Sequence, residues 1–449
     1  MSKKCAVYVL EKEVLVTFNM GSVKDLIVDG PIGERFYRPP TATDFGEGAW
    51  RVKGTYSVRD LKRLIPDVDI VHKPACLAMS NAAFFEFLSK EHPDIEHCYL
   101  GLIDSEGNVT DVRTLLDRGE TSNLVLMKLA HTPESFSNGD LNAYRSALQS
   151  GELQCGVADV ESIFRAGFPL GSSTFKRIFA AVGRASEYET LATYEQVSKS
   201  LDQIRMLVEE RGLGSYPELE KILRDSGLGT RIPNPGFVLR EMVFDSTTKF
   251  ESAGDRVINR DEERKLSGLN QEGYSLWTSK VFPNMSRAQV ELARQRDILL
   301  YDGKGESVAF RGKPAITDFA FTPDENRMTV LYKGPDGVTW ALPTNKEYQR
   351  ARFTEAGVDI AIGRAKTLAR EAGNTDGWRD YLGPLFKDMG IDLRALSDDT
   401  LQTMSYALGE VGNRVLGRRV FDVPTLDTWA DRMLPYASKV EYQEVPDDG

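Results

Sequence analysis

The stretch "LLYDGKGE", residues 299–306, decides how we interpret this chain. Successive side chains of a strand point to opposite faces, so Asp302, Lys304 and Glu306 are predicted to share one face, with glycines between them. A lysine between two acids suits a nucleotide site in which the lysine meets phosphate and the acids hold Mg²⁺. A plain hairpin turn is the alternative, because "DG" is a strong turn signal. A Walker loop is excluded, because "DGKGES" lacks the GxxxxGK[ST] spacing and a following helix.

The next segment strengthens the nucleotide interpretation. Within "KPAITDFAFTPDENR", residues 313–327, Asp318 is predicted to lie mid-strand in an otherwise apolar run. A carboxylate there is costly to bury unless it is paired or binds a metal. If strands 298–306 and 314–322 lie side by side, Asp318 can face Glu306. Two carboxylates and one lysine would then form a Mg·ATP site.

The composition sets the protein class. The 449 residues suffice for two or three domains, and 41% hydrophobic with 27% charged residues is typical of a globular protein. Apolar runs are too short for a membrane helix or a signal peptide, and the four cysteines lack CxxC spacing. We therefore expect a reduced, cytoplasmic protein with no membrane partner. The net charge of −11 argues against nucleic-acid binding, so a local basic cluster must meet any anionic substrate.

The order of predicted elements favours an α+β fold over a doubly wound sheet, because mixed strands come first and helices last. Two strands, 298–302 and 314–321, are predicted around the turn "RGKP". The predicted helices are 80–91 with Ser80 or Asn81 as N-cap, 188–212, a short helix opened by a capping box at 215–218, 287–297 with Ser286 as N-cap, 346–372, 376–388 and 398–416. The Pro/Gly segment "TRIPNPGF", 230–237, is the clearest internal boundary.

The motif pair "DGKGE…AITDFAFTPDENR" resembles the signature of phosphoribosylaminoimidazole-succinocarboxamide (SAICAR) synthetases, whose usual form is D-x-K-x-E followed by a D-bearing strand and TPD-x-x-R. The likeness spans roughly residues 18–425 in conserved order and is most specific over 298–327. Further similar segments are "MGSVKDL" (20–26), "TYSVRD" (55–60), "ESIFRAGFPLGSS" (161–173), "STTKFESAGDRVIN" (246–259), "NKEYQR" (345–350) and "GRRVFDVP" (417–424).

The resemblance implies a two-lobed, ATP-grasp-like α+β fold and an ATP- and Mg²⁺-dependent ligase. In that family a carboxylated nucleotide becomes an acyl phosphate, and aspartate displaces the phosphate to form an amide. It implies an N-terminal ATP-binding lobe over 1–130 and a central substrate and Mg·ATP lobe over 131–345. A helical insertion over 178–232 and a helical C-terminal segment over 346–449 complete the division. Family habit also suggests a homo-oligomer with small-molecule partners.

The same resemblance assigns the site residues. The implied catalytic residues are Lys304, Asp302 and Lys249, the implied ATP contacts are Lys24, Lys128 and Lys304, and the implied metal ligands are Glu306 and Asp318. The implied substrate contacts are Arg165, Gly171, Ser172, Ser173, Glu251, Asp255, Lys346 and Arg350. Arg177 is a weaker addition. Each has a plainer alternative: a surface-turn lysine for Lys24, a snorkelling edge-strand lysine for Lys128, and a solvated loop for 249–255.

Two segments depart from the family pattern and concern the substrate. Residues 53–60 lack the family's S-D-R and carry Arg59 in place of phenylalanine, and the family's "GKG" appears as "HKP" at 72–74. The residues assigned to ATP and metal match the family pattern, whereas the segments assigned to the substrate match it only in part. Three alternatives to a SAICAR synthetase therefore stay open: a ligase for another carboxylated nucleotide, a phosphotransferase using the same site, and a nucleotide-binding protein without turnover.

Overall fold

A computed structural model describes residue 70 and residues 72–443 apart from 107, 129, 252–255, 335–336 and 392–397, together with short strands before residue 55. The chain is α+β, as the order of elements predicted. The described strands pair antiparallel, except for one parallel pairing between the strands Phe237–Thr247 and Glu441–Tyr442. No described helix is long and apolar enough to cross a membrane.

The elements are numbered in chain order. The strands are β1 Lys4–Cys5, β2 Phe18–Asn19, β3 Ile27–Asp29, β4 Arg35–Tyr37, β5 Trp50–Gly54, β6 Tyr99–Ile103, β7 Val109–Thr110, β8 Leu124–Lys128, β9 Cys155–Phe168, β10 Phe237–Thr247, β11 Ile298–Leu300, β12 Asp302–Phe310, β13 Lys313–Thr317, β14 Met328–Lys333, β15 Thr339–Leu342, β16 Ser438–Lys439 and β17 Glu441–Tyr442. The helices are α1 Lys73–Glu91, α2 Val112–Asp117, α3 Pro133–Ser137, α4 Leu141–Ser150, α5 Ser173–Ala181, α6 Ala185–Tyr188, α7 Tyr194–Arg211, α8 Pro217–Asp225, α9 Arg260–Leu266, α10 Gln271–Leu276, α11 Phe282–Gln295, α12 Lys346–Glu355, α13 Val358–Glu371, α14 Leu382–Asp388, α15 Asp398–Leu416 and α16 Ala430–Met433.

The central sheet has the order β13-β12-β9-β10-β17. In the β12–β9 pair, Asp302 lies opposite Arg165, and Glu306 lies opposite Glu161. Directly opposed residues of an antiparallel pair share one face, so these side chains lie on the same side of the sheet, together with Lys304. The stretch 302–306 is therefore a strand, and the predicted alternation is confirmed.

Close packing on the opposite face of the sheet requires the two glycines of this stretch. A Cβ at Gly303 would collide with the Asn326 side chain and with Phe164, and one at Gly305 would collide with Met285 of α11. Buried interiors are close-packed and cannot accept these extra atoms without movement. The acid–glycine–lysine–glycine–acid spacing thus serves both faces: charge on one, close packing on the other.

The predicted strand 298–306 is in fact two strands that belong to different sheets, which is a correction. β11 pairs with β14, while β12 pairs with β9 and β13. The chain changes sheets at buried Tyr301, whose carbonyl accepts hydrogen bonds from the backbone N–H groups of Ala166 (2.7 Å) and Gly167 (2.9 Å). Local sequence carries no mark of this change, because it depends on which distant strand each half meets.

The predicted turn at "RGKP" is confirmed as a two-residue hairpin loop. Arg311 (φ 51°) and Gly312 (φ 76°) are both left-handed, as a type I′ turn requires. The hairpin register places Thr317 opposite Glu306. Asp318 follows the last residue of β13 with φ 61°, so the predictions that it lies mid-strand and opposite Glu306 are wrong.

Two predicted N-cap positions are wrong. Helix α1 begins at Lys73 with Pro74 in its first turn, so Ser80 and Asn81 lie inside it. Helix α11 continues from α10 through a π-helical turn, so Ser286 is interior and its hydroxyl donates to the Phe282 carbonyl (2.8 Å). In both cases the true start could not be predicted from the sequence, because neither helix has a capping side chain at its N-terminus.

Helix α8 begins at Pro217 without a side-chain cap, so the predicted capping box at 215–218 is also wrong. The capping box is instead formed by Thr193 and Gln196 at the start of α7, inside the predicted helix 188–212. The predicted helix 346–372 is interrupted by Gly357 in the left-handed region (φ 79°), which separates α12 from α13.

Helices α5, α7 and α8 share a core of their own beside the central sheet. Its buried members include Phe175, Ile178, Val197, Leu201, Leu219 and Leu223. These helices fall within and next to the predicted insertion 178–232, whose bounds, like the other domain boundaries, stay a prediction.

Candidate functional site

A cluster of charges occupies the face of the central sheet formed by β9, β10 and β12. The Lys304 ammonium lies 2.5 Å from Glu161 Oε1, 2.7 Å from Glu325 Oε2 and 3.8 Å from Glu306 Oε1. Burial lowers the pKa of Lys304, but the charges of Glu306 and Glu161 raise it above the ordinary value overall. Lys304 is therefore held as a cation.

A second lysine meets the same carboxylates from the end of β10. The Lys249 ammonium contacts Glu306, and its backbone N–H donates to buried Asp159 Oδ1 at 3.1 Å. Burial lowers the pKa of Lys249, while the nearby charges of Glu306 and Asp318 raise it above its ordinary value. The two lysines and the carboxylates around them form what we call the charged face: Lys304, Lys249, Glu161, Glu306, Asp318 and Glu325.

Arginines connect this face to a neighbouring loop. Buried Arg165 lies 3.3 Å from Asp245 and 3.8 Å from Asp302. On the other side, Asp302 also pairs with Arg327, which reaches Glu347 at 3.3 Å. Asp302 therefore lies between two arginines in this arrangement, and its predicted catalytic role stays a prediction.

A cavity of about 1030 Å³ adjoins the charged face and is lined by Glu325, the 170–173 loop, and helices α12 and α13. The cationic side chains on its walls are Lys73, Lys176, Arg327, Lys346, Arg350 and Lys366. Five carboxylates line it as well, those of Glu189, Asp324, Glu325, Glu347 and Asp359, and Lys73, Arg327 and Arg350 pair with carboxylates of this set. The lining cations exceed the lining acids by one, in a chain whose net charge is −11. Cations on these walls can meet an anionic group of a ligand.

The pKa of Lys346, one of the lining cations, is strongly lowered. It opens α12, where Asn345 is the N-cap, and its ammonium donates to the Asp324 carbonyl at 2.5 Å. Burial, assisted by the positive charge of Arg350, lowers the pKa of Lys346 to about 8. The Asp324 carboxylate meanwhile pairs with Lys73 at 2.8 Å.

The 170–173 loop is fixed against the same helix. Gly171 has φ 85°, its carbonyl accepts from Arg327 at 3.3 Å, and a Cβ here would collide with the Glu347 carboxylate. Ser172 caps α5. A glycine with left-handed φ and a close acidic neighbour leaves no room for another residue. The loop therefore packs directly against α12, and the two form one wall of the cavity.

The structure brings part of the predicted substrate set together at the cavity: Gly171, Ser172, Ser173, Lys346 and Arg350. Arg165 is not among the lining residues of the cavity and lies on the same side of the sheet as Lys304, between Asp245 and Asp302. Arg177 lies on α5 beside lining residue Lys176. Glu251 pairs with Arg145 at 3.3 Å and Arg256 at 3.1 Å. Lys24 and Asp255 lie outside the described residues, as does the side chain of Lys128 in β8.

Several residues of the site were missed from the sequence. They are Glu161, Glu325, Glu347 and Lys176. Glu161 could have been found, because it alternates with Ile163 and Arg165 along β9 as the acids of β12 do. Lys176 carries no local signal, since only tertiary folding brings α5 to this cavity. Lys73 belongs to the "HKP" segment that stands in place of the family's "GKG", and the structure places it on the cavity wall.

The predicted metal ligands can be tested for fit. Among the residues the structure describes, no three His, Cys, Asp or Glu side chains are grouped as a metal site. Glu306 and Asp318 nevertheless both act on the charge of Lys249, so two carboxylates lie near one position. Mg²⁺ commonly takes one or two carboxylates and completes its shell with water and substrate phosphates. The pair fits that use and does not form an all-protein cage.

Comparisons with known proteins find similarity only at the level of structure. No protein-family model matches the chain, and no curated protein matches it in sequence. The SAICAR synthase from Saccharomyces cerevisiae complexed with SAICAR is 13% identical with a TM-score of 0.40, covering 78% of this chain and 83% of that one. The SAICAR synthetase from Pyrococcus horikoshii OT3 is 13% identical with a TM-score of 0.33, covering 64% and 81%.

A type-2 SAICAR synthetase solved with ADP is also 13% identical, with a TM-score of 0.34, covering 65% of this chain and 80% of that one. All three neighbours are SAICAR synthetases. The relationship is structural and distant, and we base the proposed function on the site's own residues.

Proposed function

We propose that the protein is a Mg·ATP-dependent carbon–nitrogen ligase that joins an amino acid, aspartate, to a carboxylated purine-precursor nucleotide, as a SAICAR synthetase does. The observation that carries the proposal is the charged face beside the cavity. Lys304 and Lys249 supply two fixed cations among the carboxylates of one sheet face. The cavity next to them offers further cations for an anionic substrate.

The chemistry requires activation, because a carboxylate is a poor electrophile. A substrate carboxylate oxygen attacks the γ-phosphorus of ATP, the bond to ADP breaks, and an acyl phosphate forms. The amine of aspartate then attacks the acyl carbon, inorganic phosphate leaves with the former carboxylate oxygen, and the nitrogen loses a proton to give the amide. Both steps gain chiefly from positioning and from neutralising charge on the transferred phosphoryl group.

The residues divide into two groups. Lys304 neutralises the transferred phosphoryl group, and Lys249 holds Glu306 in place beside it. Glu306 and Asp318 would hold Mg²⁺, which supplies Lewis-acid neutralisation of the nucleotide phosphates when bound. The carboxylated nucleotide is held through its phosphate by Ser172, Ser173 and the cations of α12. Lys24 and Lys128 remain proposed ATP contacts.

The setting of the proposed reaction rests on the composition and, for the homo-oligomer, on the habit of the family that the sequence resembles. We infer a cytoplasmic enzyme whose partners are small-molecule nucleotides and an amino acid, with neither nucleic acid nor membrane, working as a homo-oligomer. The acidic net charge and the cations on the cavity walls support the small-molecule part of this inference.

Phosphate release from ATP tests the ligase proposal directly. With carboxyaminoimidazole ribotide, Mg²⁺ and aspartate present, we expect stoichiometric ADP, phosphate and amide product. Omission of aspartate should remove the amide. A matched reaction with the decarboxylated aminoimidazole ribotide should release no phosphate above background, because it offers no carboxylate to activate.

Each other result selects a different function. Turnover only with another carboxylated nucleotide keeps the ligase chemistry and replaces the substrate. Phosphoryl transfer to a hydroxyl without any amine makes the protein a phosphotransferase. Tight Mg·ATP binding without turnover on any acceptor contradicts the enzyme proposal altogether.

Substrate binding is expected to depend on pH through Lys346. Its pKa of about 8 makes it cationic below that pH and neutral above it. Methyl phosphate should therefore bind roughly tenfold more weakly at pH 9.5 than at pH 7.5. The ligand itself stays a dianion over this range, because the second ionisation of a phosphate monoester lies at about pH 6.

Calorimetric titration at the two pH values measures this effect. Lys346→Arg should bind methyl phosphate equally at both, since arginine stays protonated. The matched variant Lys176→Arg, on the same cavity, should keep the wild-type pH dependence. A wild-type affinity that does not change with pH would contradict the role given to Lys346.

A further inference from the structure

The backbone ladder between β9 and β10 ends beside the charged face. Its last pair is Glu161 with Thr247, and the chain that follows carries Lys249 of the charged face. Backbone N–H groups that are shielded from water beyond the end of a ladder need other acceptors. The acceptor here is the carboxylate of Asp159, whose Oδ1 accepts from the N–H of Lys249 at 3.1 Å and from that of Phe250 at 2.8 Å.

Asp159 reaches this position because β9 is bulged against β12. Glu306 lies opposite Glu161. Two residues later on β12, Val308 lies opposite Val157, which is four residues away from Glu161 on β9. Strand β9 therefore carries two extra residues here, and Asp159 is the middle residue of the bulge. Bulges bend their strand, re-aim a side chain and are over-represented next to active sites.

The Asp159 carboxylate is held by helix α4. Its side chain is 0% exposed, and burial of an ionised carboxylate is costly unless the group is paired and hydrogen-bonded. Arg145 of α4 donates from Nε to Asp159 Oδ2 at 2.6 Å and also lies 3.3 Å from Glu251. The preceding residue of α4, Tyr144, packs edge-on against Phe250 with ring centroids 6.1 Å apart. Helix α4 therefore braces both the carboxylate and the chain that the carboxylate holds.

The geometry points to Asp159 as the positioning residue for Lys249. The buried carboxylate fixes two successive backbone N–H groups, so the Lys249 side chain extends from a fixed backbone to meet Glu306. Asp159 is not a lining residue of the cavity, and it acts through the lysine. This inference rests on the proposed function, in which Lys249 holds Glu306 beside the transferred phosphoryl group.

Hydrogen exchange of the full chain without substrate tests the positioning itself. Residue-level mass spectrometry should find the N–H groups of Lys249 and Phe250 protected in the wild type. Asp159→Ala should speed their exchange at least tenfold, because both lose their acceptor. Unprotected N–H groups in the wild type, or unchanged exchange in Asp159→Ala, overturns the inference.

The matched control is Asp104→Ala. Asp104 is also buried, accepts two backbone N–H groups at 2.8 and 2.9 Å, and pairs with an arginine at 3.2 Å. It lies in the turn after β6 and not in the charged face. This variant should lower the unfolding temperature as Asp159→Ala does, while exchange at Lys249 and Phe250 stays at the wild-type rate.

A double-mutant cycle with Lys249→Met tests whether the positioning serves turnover. Asp159→Ala should lower kcat for phosphate release by about 100-fold, the loss that a displacement of about 1 Å can cause. KM for the carboxylated nucleotide should stay within about twofold, because the cavity cations are left in place. In the Lys249→Met background the same substitution should cost no more than about twofold, since no lysine remains to be positioned.

A purely structural role would give a different cycle. Asp159→Ala would then cost the same factor in both backgrounds, and that result overturns the inference. Where Asp159→Ala does not fold, Asp159→Asn keeps the shape and one acceptor oxygen. We expect it to lower kcat about tenfold, again only when Lys249 is present.

The outcomes separate this inference from the ligase proposal. A wild type that forms no amide from ATP, a carboxylated nucleotide and aspartate rejects the ligase, and the exchange experiment still decides whether Asp159 positions Lys249. An active wild type in which the losses of the cycle are additive keeps the ligase and rejects the inference.

Discussion

Lys304→Met is expected to lower ATP-dependent turnover by about 10³-fold, the size of effect seen when a fixed donor to transition-state charge is removed. The lysine is held by Glu161 and Glu325 within 3 Å, and the neighbouring cation, Lys249, is already paired with Glu306. Methionine keeps the length of the side chain and removes only the charge. Steady-state release of phosphate from ATP with the carboxylated nucleotide measures the loss.

The same substitution leaves Glu161 and Glu325 without their cation, so part of the effect will be on stability. We expect the free energy of unfolding to fall by about 1–3 kcal/mol. Pairing Lys304→Met with Glu161→Gln removes one uncompensated charge and should restore part of that stability while turnover stays low. This double variant separates folding from chemistry.

The control is Lys333→Met, which removes an exposed lysine from β14. It should leave turnover within a factor of two and stability within about 0.5 kcal/mol. Full turnover in a folded Lys304→Met protein would remove the charged face from the proposed mechanism.

The fold of the decisive stretch could be predicted because its signal is local. Alternation with a period of two placed Asp302, Lys304 and Glu306 on one face whatever strand lay beside them. The position of Asp318 could not be predicted in the same way. It depends on a two-residue turn that sets the register of β13 and on a backbone that turns left-handed immediately after Thr317.

The cavity, likewise, could be predicted from the sequence only in part. "GSS" and "NKEYQR" were found as segments, but the wall they share depends on Arg327 and Glu347, which meet only in the folded chain. Arg165 was assigned to the substrate because "ESIFRAGFPLGSS" resembles the family's substrate segment. In an antiparallel sheet its neighbours are set by strand pairing, and these are Asp245 and Asp302. The sequence could not predict these partners, and the substrate role of Arg165 stays a prediction.

Arg327→Met is expected to have the largest effect on stability, lowering the free energy of unfolding by about 3 kcal/mol, because two largely buried carboxylates lose a partner. Asp302 then keeps Arg165 at 3.8 Å, and Glu347 keeps the more exposed Arg350. Asp302 and Glu347 both pair with this guanidinium, and their charges raise its pKa further above the ordinary value despite burial. Denaturant unfolding, followed by tryptophan fluorescence, measures the change.

A matched loss of charge is Arg364→Met on the exposed side of α13, which should change stability by no more than about 0.5 kcal/mol. Arg327→Lys should recover only part of the stability, because an ammonium cannot bind two carboxylates and the Gly171 carbonyl in the planar geometry of a guanidinium.

The substitution also tests whether Arg327 joins the two halves of the site. Its three partners belong to β12, to α12 and to the 170–173 loop, so its loss should release the loop from α12 as well as weaken the fold. Under conditions where Arg327→Met stays folded, methyl phosphate affinity should fall by at least tenfold. Intact phosphate binding in that variant would mean that the loop is held by Ser172 and α5 alone, and that the charged face and the cavity are independent sites.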